Sequence, residues 1–365
     1  MIKKLCAVGT VLAAALAVTT GCSDDSSTSS ASGDEVTRLV QVNADPSLAA
    51  TVAFHTSVPE EMGYFADEGL EVEVQGIDGA ETAAAMVQSG QADVVQAGGP
   101  AMVQFAADKP DGLVAVYLNK SHSFRVVVPE DSDIRTAADL KGKTIGSVAL
   151  AGSLYQYGRA VVEQGDLDPD ADVKWLPVGY GTQAAAAFQD GKIDAYAGAD
   201  VFNAVIGSLI GSSMRVIEVP SDTLPAFGAW LFRREMVEEQ PEVVAGFIRA
   251  TLRGMIFTDA NPARAVDIHW KAYPSSKPTD ADKDGVAEFW QDVVQERLEL
   301  TYLGTGEDGL YGTASDEQLT TTFEFQVGAE MLPEMPDLDV LVDLGLAEDY
   351  NDFDADEVRA EAEAS

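Results

Sequence analysis

Two stretches of this chain are near copies of one another, and a repeat of that kind restricts the fold to two halves of like design. Residues 81–97 read ETAAAMVQSGQADVVQA and residues 182–198 read TQAAAAFQDGKIDAYAG. At a constant offset of 101 they agree at Ala83/Ala184, Ala84/Ala185, Ala85/Ala186, Gln88/Gln189, Gly90/Gly191 and Asp93/Asp194. An alanine-rich run forms helix at little cost in side-chain entropy. Gly90 and Gly191 stand where a helix C-terminus needs a positive φ. Asp93 and Asp194 open short apolar runs (Val94 and Val95; Ala195 and Tyr196) that read as buried parallel strands. Each copy is therefore helix, glycine stop, strand. The flanks correspond as well. Residues 63–74 (GYFADEGLEVEV) and 161–176 (VVEQGDLDPDADVKWL) each read as helix end, turn and strand. Two βαβ-type halves follow, each a mostly parallel sheet with helices on both faces, so the fold class is α/β with two lobes.

The strand at 125–129 (RVVVP), followed by IRTAADLKGKTIGSVAL, marks the crossing into the second lobe, and 227–232 (FGAWLF) marks the return. From Glu235 the chain reads as mainly helical. Residues 243–257 and 286–300 carry apolar side chains at spacings of three to four, and these helices are expected to pack back on the first lobe. The expected division is 36–127 with 233–346 for lobe one and 128–232 for lobe two. An acidic tail at 347–365 is expected to be weakly held helix or disorder.

The N-terminus bears on the compartment. Lys3 and Lys4 precede an uncharged, alanine-rich apolar run at 5–18, which ends in Thr19, Thr20, Gly21 and Cys22. This has the layout of a secretory signal, and it is shorter than the ~20 apolar residues that a spanning helix needs. The chain has two cysteines, Cys6 inside the signal and Cys22 at its end. Cleavage before Cys22 leaves one thiol at the first mature residue, where diacylglyceryl attachment removes an otherwise exposed group. The pattern resembles a bacterial lipoprotein box, with Thr19 where Leu or Val is usual. Residues 22–35 are then the lipidated Cys and a flexible tether, and 23–35 hold no apolar side chain larger than alanine. The expected location is the outer face of the cell membrane, held by lipid on Cys22. Loss of Lys3 and Lys4 moves the formal net charge from −38 to −40. A surface so acidic argues against nucleic acid and against an electrostatic hold on anionic lipid.

Parallel α/β sheets bind ligands beyond the C-terminal ends of their strands, near helix N-termini. That rule selects loops at 54–57, 98–100 and 121–122 in lobe one, and at 151–155, 179–182 and 200–202 in lobe two. Gly152 and Ser153 open a helix after a strand at 144–148 and offer free N–H groups to an anion, or Ser153 simply caps that helix. Gly99 lets backbone approach a ligand closely, and Pro100 suits a first helical turn. His55, Tyr155, Tyr180, Phe202, Phe227 and Trp230 form a candidate aromatic lining. Thr56, Ser121 and His122 add donors, and Asp200 is a candidate acceptor for an amine or else a helix cap. Trp230→Ala is expected to abolish binding and leave the fold intact.

Other motifs carry less. Lys141, Gly142, Lys143 and Thr144 resemble the end of a phosphate-binding loop, but Ala137 stands where the first glycine is required. The three histidines, His55, His122 and His269, lack metal-ligand spacing. Residues 280–285 (DADKDG) match the first half of a calcium loop, with Gln291 where a bidentate Glu belongs. No cofactor, no catalytic group and no metal site is expected.

The run GYFADEGLEVEV, then AAAMVQSGQADVVQAGGPA, then DLKGKTIGS, in this order and spacing, resembles substrate-binding proteins of ABC importers. The group is the one for nitrate, taurine, alkanesulfonates and thiamine pyrimidine precursors, and LVDLGLAEDYNDF resembles its C-terminal ending. The resemblance covers roughly residues 36–353 and implies a class II periplasmic-binding-protein fold with two hinge strands and a cleft between lobes. It also implies an ATP-driven permease as partner, and the chain is expected to be a monomer. The ligand it suggests is a small organic anion, such as a sulfonate, taurine or nitrate. The alternative is a pyrimidine-type or other aromatic solute, a ligand-sensing role without transport being a further one.

Overall fold

The computed structural model describes residues 36–365 apart from Asp108, Asp280 and Asp282. The expected signal, Cys22 and the tether lie outside the described residues.

Among the described residues, ten strands form two separate sheets. They are β1 (Thr37–Asn43), β2 (Leu70–Gly76), β3 (Val94–Gly98), β4 (Leu113–Leu118), β5 (Phe124–Pro129), β6 (Thr144–Ser147), β7 (Lys174–Pro177), β8 (Ala195–Ala199), β9 (Met214–Val216) and β10 (Gly228–Arg233). The first sheet has the order β2-β1-β3-β10-β4 and the second β7-β6-β8-β5-β9. β1 runs parallel to β2 and β3, and β6 runs parallel to β7 and β8. The strand arriving from the other lobe is the antiparallel one in each case: β10 between β3 and β4, and β5 between β8 and β9. The chain crosses between sheets at 119–123 and again at 217–227, so two segments tie the lobes.

The repeat has a common structural cause in both lobes. The helices Ala80–Gln88 and Thr182–Gln189 end before Gly90 and Gly191, whose φ values are +74° and +63°. The next turn brings each aspartate to the start of a central strand. There Asp93 Oδ2 accepts from Val40 N and Asp194 Oδ2 accepts from Thr144 N, both at 2.8 Å. The backbone returns the contact, Asp93 N to Val40 O and Asp194 N to Thr144 O. The glycine and the aspartate together set the register of the strand that follows.

Lobe one buries apolar side chains on both faces of its sheet. One face sets Leu39, Val94, Trp230 and Phe232 against the long helix Pro241–Ala260 and the 3-10 segment Ala50–His55. That helix approaches the segment closely at Gly254, where a Cβ would stand 2.2 Å from the Phe54 carbonyl oxygen and 2.7 Å from Pro59. A larger residue there would push away the segment that carries His55.

Two expectations change. The tail at 347–365 is firmly docked: the helix Ala355–Glu363 packs on Pro241–Ala260 through buried Val358 and Ala362. Asp354 caps it, and the Tyr64 hydroxyl donates to Glu361 at 2.7 Å. An apolar stripe at i, i+4 under an acidic outer face was enough to anchor it. The helix expected at 286–300 stops at Arg297 and continues as a wider turn over Leu298–Tyr302, in which Leu303 N donates to Leu298 O. Among the described residues, no helix is long and apolar enough to cross a membrane.

Candidate ligand-binding cleft

The C-terminal ends of the parallel strands in both sheets converge where the lobes meet. Gly99 opens the helix Gly99–Phe105 after β3, and Ser153 opens Ser153–Gln164 after β6. A Cβ at Gly99 would lie 3.9 Å from Ser153 Oγ, so these two expected site residues face each other across the lobes. Pro100 sits in the first turn beside Gly99. Gly152, at φ +79°, occupies the cap position, and Ser153 makes no side-chain cap bond.

His55 closes the 3-10 segment and is buried against Trp230, with ring centroids 5.0 Å apart. Gln41 Nε2 donates to its Nδ1 at 2.8 Å. Burial above all, then the nearby His269 and Arg297, holds the His55 pKa down to about 3, so the ring is uncharged at neutral pH. Thr56 turns its hydroxyl to Val52 O at 2.7 Å.

Toward the C-terminal ends of the parallel lobe-one strands lies a group of uncharged polar side chains. Gln41 and Asn43 lie on alternate positions of β1, Trp230 pairs in register with Gln96, and Asn119 follows β4. Gln41 Oε1, Asn43 Nδ2, Asn119 Oδ1 and Trp230 Nε1 are all buried without a protein hydrogen-bond partner. Native interiors leave few such atoms, because each costs about 1–3 kcal/mol. Gly228 makes room for this group, since a Cβ there would meet Asn119 Nδ2 at 2.8 Å and Gln96 Nε2 at 3.0 Å.

From lobe two, Asp200 opens the helix Asp200–Ile210 directly after β8, and its side chain is buried. It forms a two-pronged ion pair with Arg297 of the C-terminal helices: Arg297 Nη2 to Oδ1 at 2.6 Å, and Nε to Oδ2. Burial opposes the charge of Arg297, and the Asp200 carboxylate more than offsets it, so the guanidinium titrates above its ordinary value. Next to the pair, a groove of about 570 Å³ runs between Asp200–Ile210 and Val286–Arg297, lined by Arg125, Asn203, Phe289 and Glu296 among others. Burial raises the Glu296 carboxyl, with Asp200 adding to the effect. Tyr180 stacks on Phe202 at 5.3 Å on the lobe-two rim and stays 62% exposed.

The expected side chains also make contacts outside this group. Ser121, His122 and Phe227 belong to the hinge. Ser121 Oγ donates to Asp222 O at 2.6 Å, and His122 Nε2 donates to Ser221 O at 2.8 Å. His122 stands 4.1 Å from the Phe227 ring and 4.8 Å from Tyr157. Burial, aided by Arg125, lowers its pKa to about 3. Arg125 itself donates to the carbonyls of His122 and Phe124. Tyr155 packs edge-on against Trp175 at 5.0 Å and accepts from Arg159. Trp230 is fully buried in the lobe-one core, between His55 and Phe247. Asp280 and Asp282 of the calcium-like run lie outside the described residues. Among the described residues, no cluster of three or more His, Cys, Asp or Glu side chains has a metal-binding arrangement.

Gln41, Asn43, Asn119 and Arg297 were not singled out from the sequence. A signal for the first two was present: in RLVQVN, polar residues replace apolar ones on the Leu39 face as the strand nears its C-terminal end. Asn119 and Arg297 had no comparable local signature.

Residues 55–265, more than half of the chain, match the family described as NMT1/THI5 like. The chain belongs to that family. Membership agrees with the nitrate, sulfonate, taurine and thiamine-precursor group of substrate-binding proteins that the motifs resembled. The riboflavin-binding protein RibY of Chloroflexus aurantiacus is 26% identical over 265 residues, 70% of this chain and 73% of its own length. The periplasmic aliphatic sulphonate binding protein SsuA of Escherichia coli superposes with a TM-score of 0.60 at 17% identity, over 84% of this chain and 92% of its own. The desulfurization enzyme DSZB superposes at 0.50 with 15% identity, over 86% of this chain and 98% of its own. These structural likenesses establish the two-lobed periplasmic-binding-protein fold. A fold that holds both a binding protein and an enzyme leaves the activity to be argued from side chains.

Proposed function

We propose that this family member is the extracytoplasmic solute-binding lipoprotein of an ABC importer, and that its solute is a flat, uncharged heterocycle rather than an anion. The observation that carries the ligand class is the set of unpartnered atoms on Gln41, Asn43, Asn119 and Trp230, two acceptors and two donors, all on uncharged side chains. An anion calls for donors alone, whereas a ring with an amide or imide edge uses donors and acceptors together. Charge in the cleft points the same way: His55 is neutral, and Arg297 is committed to Asp200. The stacked Tyr180–Phe202 pair offers a flat apolar surface on the opposite rim. The relative named for riboflavin binding supports a ring-bearing solute. A sulfonate-like anion is the second reading, favoured by the N-terminus of Ser153–Gln164 facing Gly99. Ser57 Oγ stands 2.9 Å from His269 Nδ1, but both residues are buried and His269 Nε2 donates to Leu48 O, so this pair serves the lobe-one core, which supports binding over catalysis.

A thermal-shift screen decides between the two ligand classes. Riboflavin and aminopyrimidines are expected to raise the melting temperature, and taurine, alkanesulfonates and nitrate to leave it unchanged. Ligand at 100 times its dissociation constant adds about 2.7 kcal/mol. A shift with sulfonates and none with the ring compounds would reverse the assignment. Membrane attachment is tested separately. Cys22→Ser expressed in a bacterial host should move the protein from the membrane fraction to the soluble one, and an unchanged distribution speaks against the lipid anchor.

A further inference from the structure

The ion pair between Asp200 and Arg297 joins parts of the molecule that belong to different lobes. Asp200 stands at the end of β8, in the centre of the second sheet. Its backbone N–H donates to Ser123 O at 3.0 Å, and its Oδ1 also accepts from Val201 N at 2.7 Å, so the carboxylate has a fixed aim. Arg297 ends a helix that packs on Pro262–Ala272 and Ala50–His55 of the first lobe. The turn that follows is pinned there by the Tyr117 hydroxyl, which donates to Tyr302 O at 2.9 Å. Both partners are thus held by their own lobes, and the fork of the guanidinium meets both carboxylate oxygens. The Asp200 side chain is 2% exposed and that of Arg297 21%.

We infer that this pair is an interlobe latch that holds the ligand-free protein shut. The inference concerns regulation of the cleft and rests on the reading of that cleft as the solute site. The lobes are linked by two chain crossings, and they can part only about those crossings. Parting them separates Asp200 from Arg297, so a solute enters only after the pair breaks. The pair therefore sets how often the cleft opens, and with it the rate of solute capture. Removing one partner leaves the other charge buried and unpaired in the shut form, a strongly unfavourable arrangement. Opening the cleft hydrates that charge, and so a single neutral replacement drives the molecule open.

The test uses the full chain without any ligand, by small-angle X-ray scattering. Arg297→Gln and Asp200→Asn are each expected to raise the open-to-shut ratio about tenfold or more and to enlarge the radius of gyration. Arg297→Lys keeps the charge, loses the two-pronged geometry and is expected to fall between them and the parent protein. Far-ultraviolet circular dichroism establishes that each variant is folded; a variant that fails there is replaced by Arg297→Lys, whose charge keeps the buried carboxylate paired. Scattering curves of folded variants that superpose on that of the parent overturn the latch. Because no solute is present, that failure leaves the ligand assignment standing, and a failed ligand screen leaves the latch standing.

Discussion

Between pH 7 and pH 5 the folded protein is expected to lose about 4 kcal/mol of stability through His55 and His122. Both rings are buried and neutral, and burial is the main reason that their pKa values fall from 6.5 to about 3. In the unfolded chain they titrate near 6.5. Within the window from 6.5 down to about 3 the unfolded state therefore binds more protons than the folded one, and stability falls as pH falls. At pH 5 each ring contributes roughly half of the loss. His269, lowered by burial as well, acts in the same direction. The formal charge of −38 acts the other way, since protonating carboxylates relieves self-repulsion. The difference between variants and parent isolates the histidines. In urea unfolding at pH 7 and pH 5, His55→Gln and His122→Gln should each recover about 2 kcal/mol of the loss. Variants with the same pH dependence as the parent would show that these rings accept protons in the folded state.

Trp230→Ala is expected to cost about 3–5 kcal/mol of folding stability, the range for removing a large buried aromatic side chain. The sequence suggested a ring exposed to ligand, whose loss would spare the fold. In the structure the indole is fully buried on the core face of β10, edge-on to His55 and Phe247, and it supports the position of His55. Truncating it opens a cavity beneath the cleft, so lost binding in that variant reports lost packing. Trp230→Phe keeps most of the ring and removes the unpartnered Nε1–H. It should cost under about 2 kcal/mol and reduce affinity, since that N–H is one of the four unpartnered groups assigned to the solute. Chemical denaturation of both variants, with solute titration of Trp230→Phe, separates the two roles. A Trp230→Ala protein as stable as the parent would contradict the core placement.

The hinge shows where local reasoning reached its limit. The strand-end rule directed attention to Ser121, His122 and Phe227, and all three stand near the junction of the lobes. Their side chains nevertheless turn into the crossing segments: Ser121 and His122 donate to the carbonyls of Asp222 and Ser221 about a hundred residues away, and the His122 and Phe227 rings pack at a tilt. A loop position can be read from strand and turn patterns, but the direction of a side chain depends on what the other crossing segment offers. Asp200 shows the same limit. An acidic residue at a helix start reads as a cap, and only the approach of Arg297 makes it half of a bond between lobes.

The amino-acid sequence alone determined the architecture. A helix, a positive-φ glycine and an aspartate that opens a strand are short-range requirements, met twice at a constant offset, and they dictate two like lobes wherever the chain goes next. Which groups meet between those lobes was decided by tertiary structure. The pairing of Asp200 with Arg297, the uncharged polar group of Gln41, Asn43 and Asn119, and the docking of the acidic tail all join residues far apart in the chain. Burial energies and hydrogen-bond geometry at such contacts arise only once distant segments have packed together, and no local pattern encodes them.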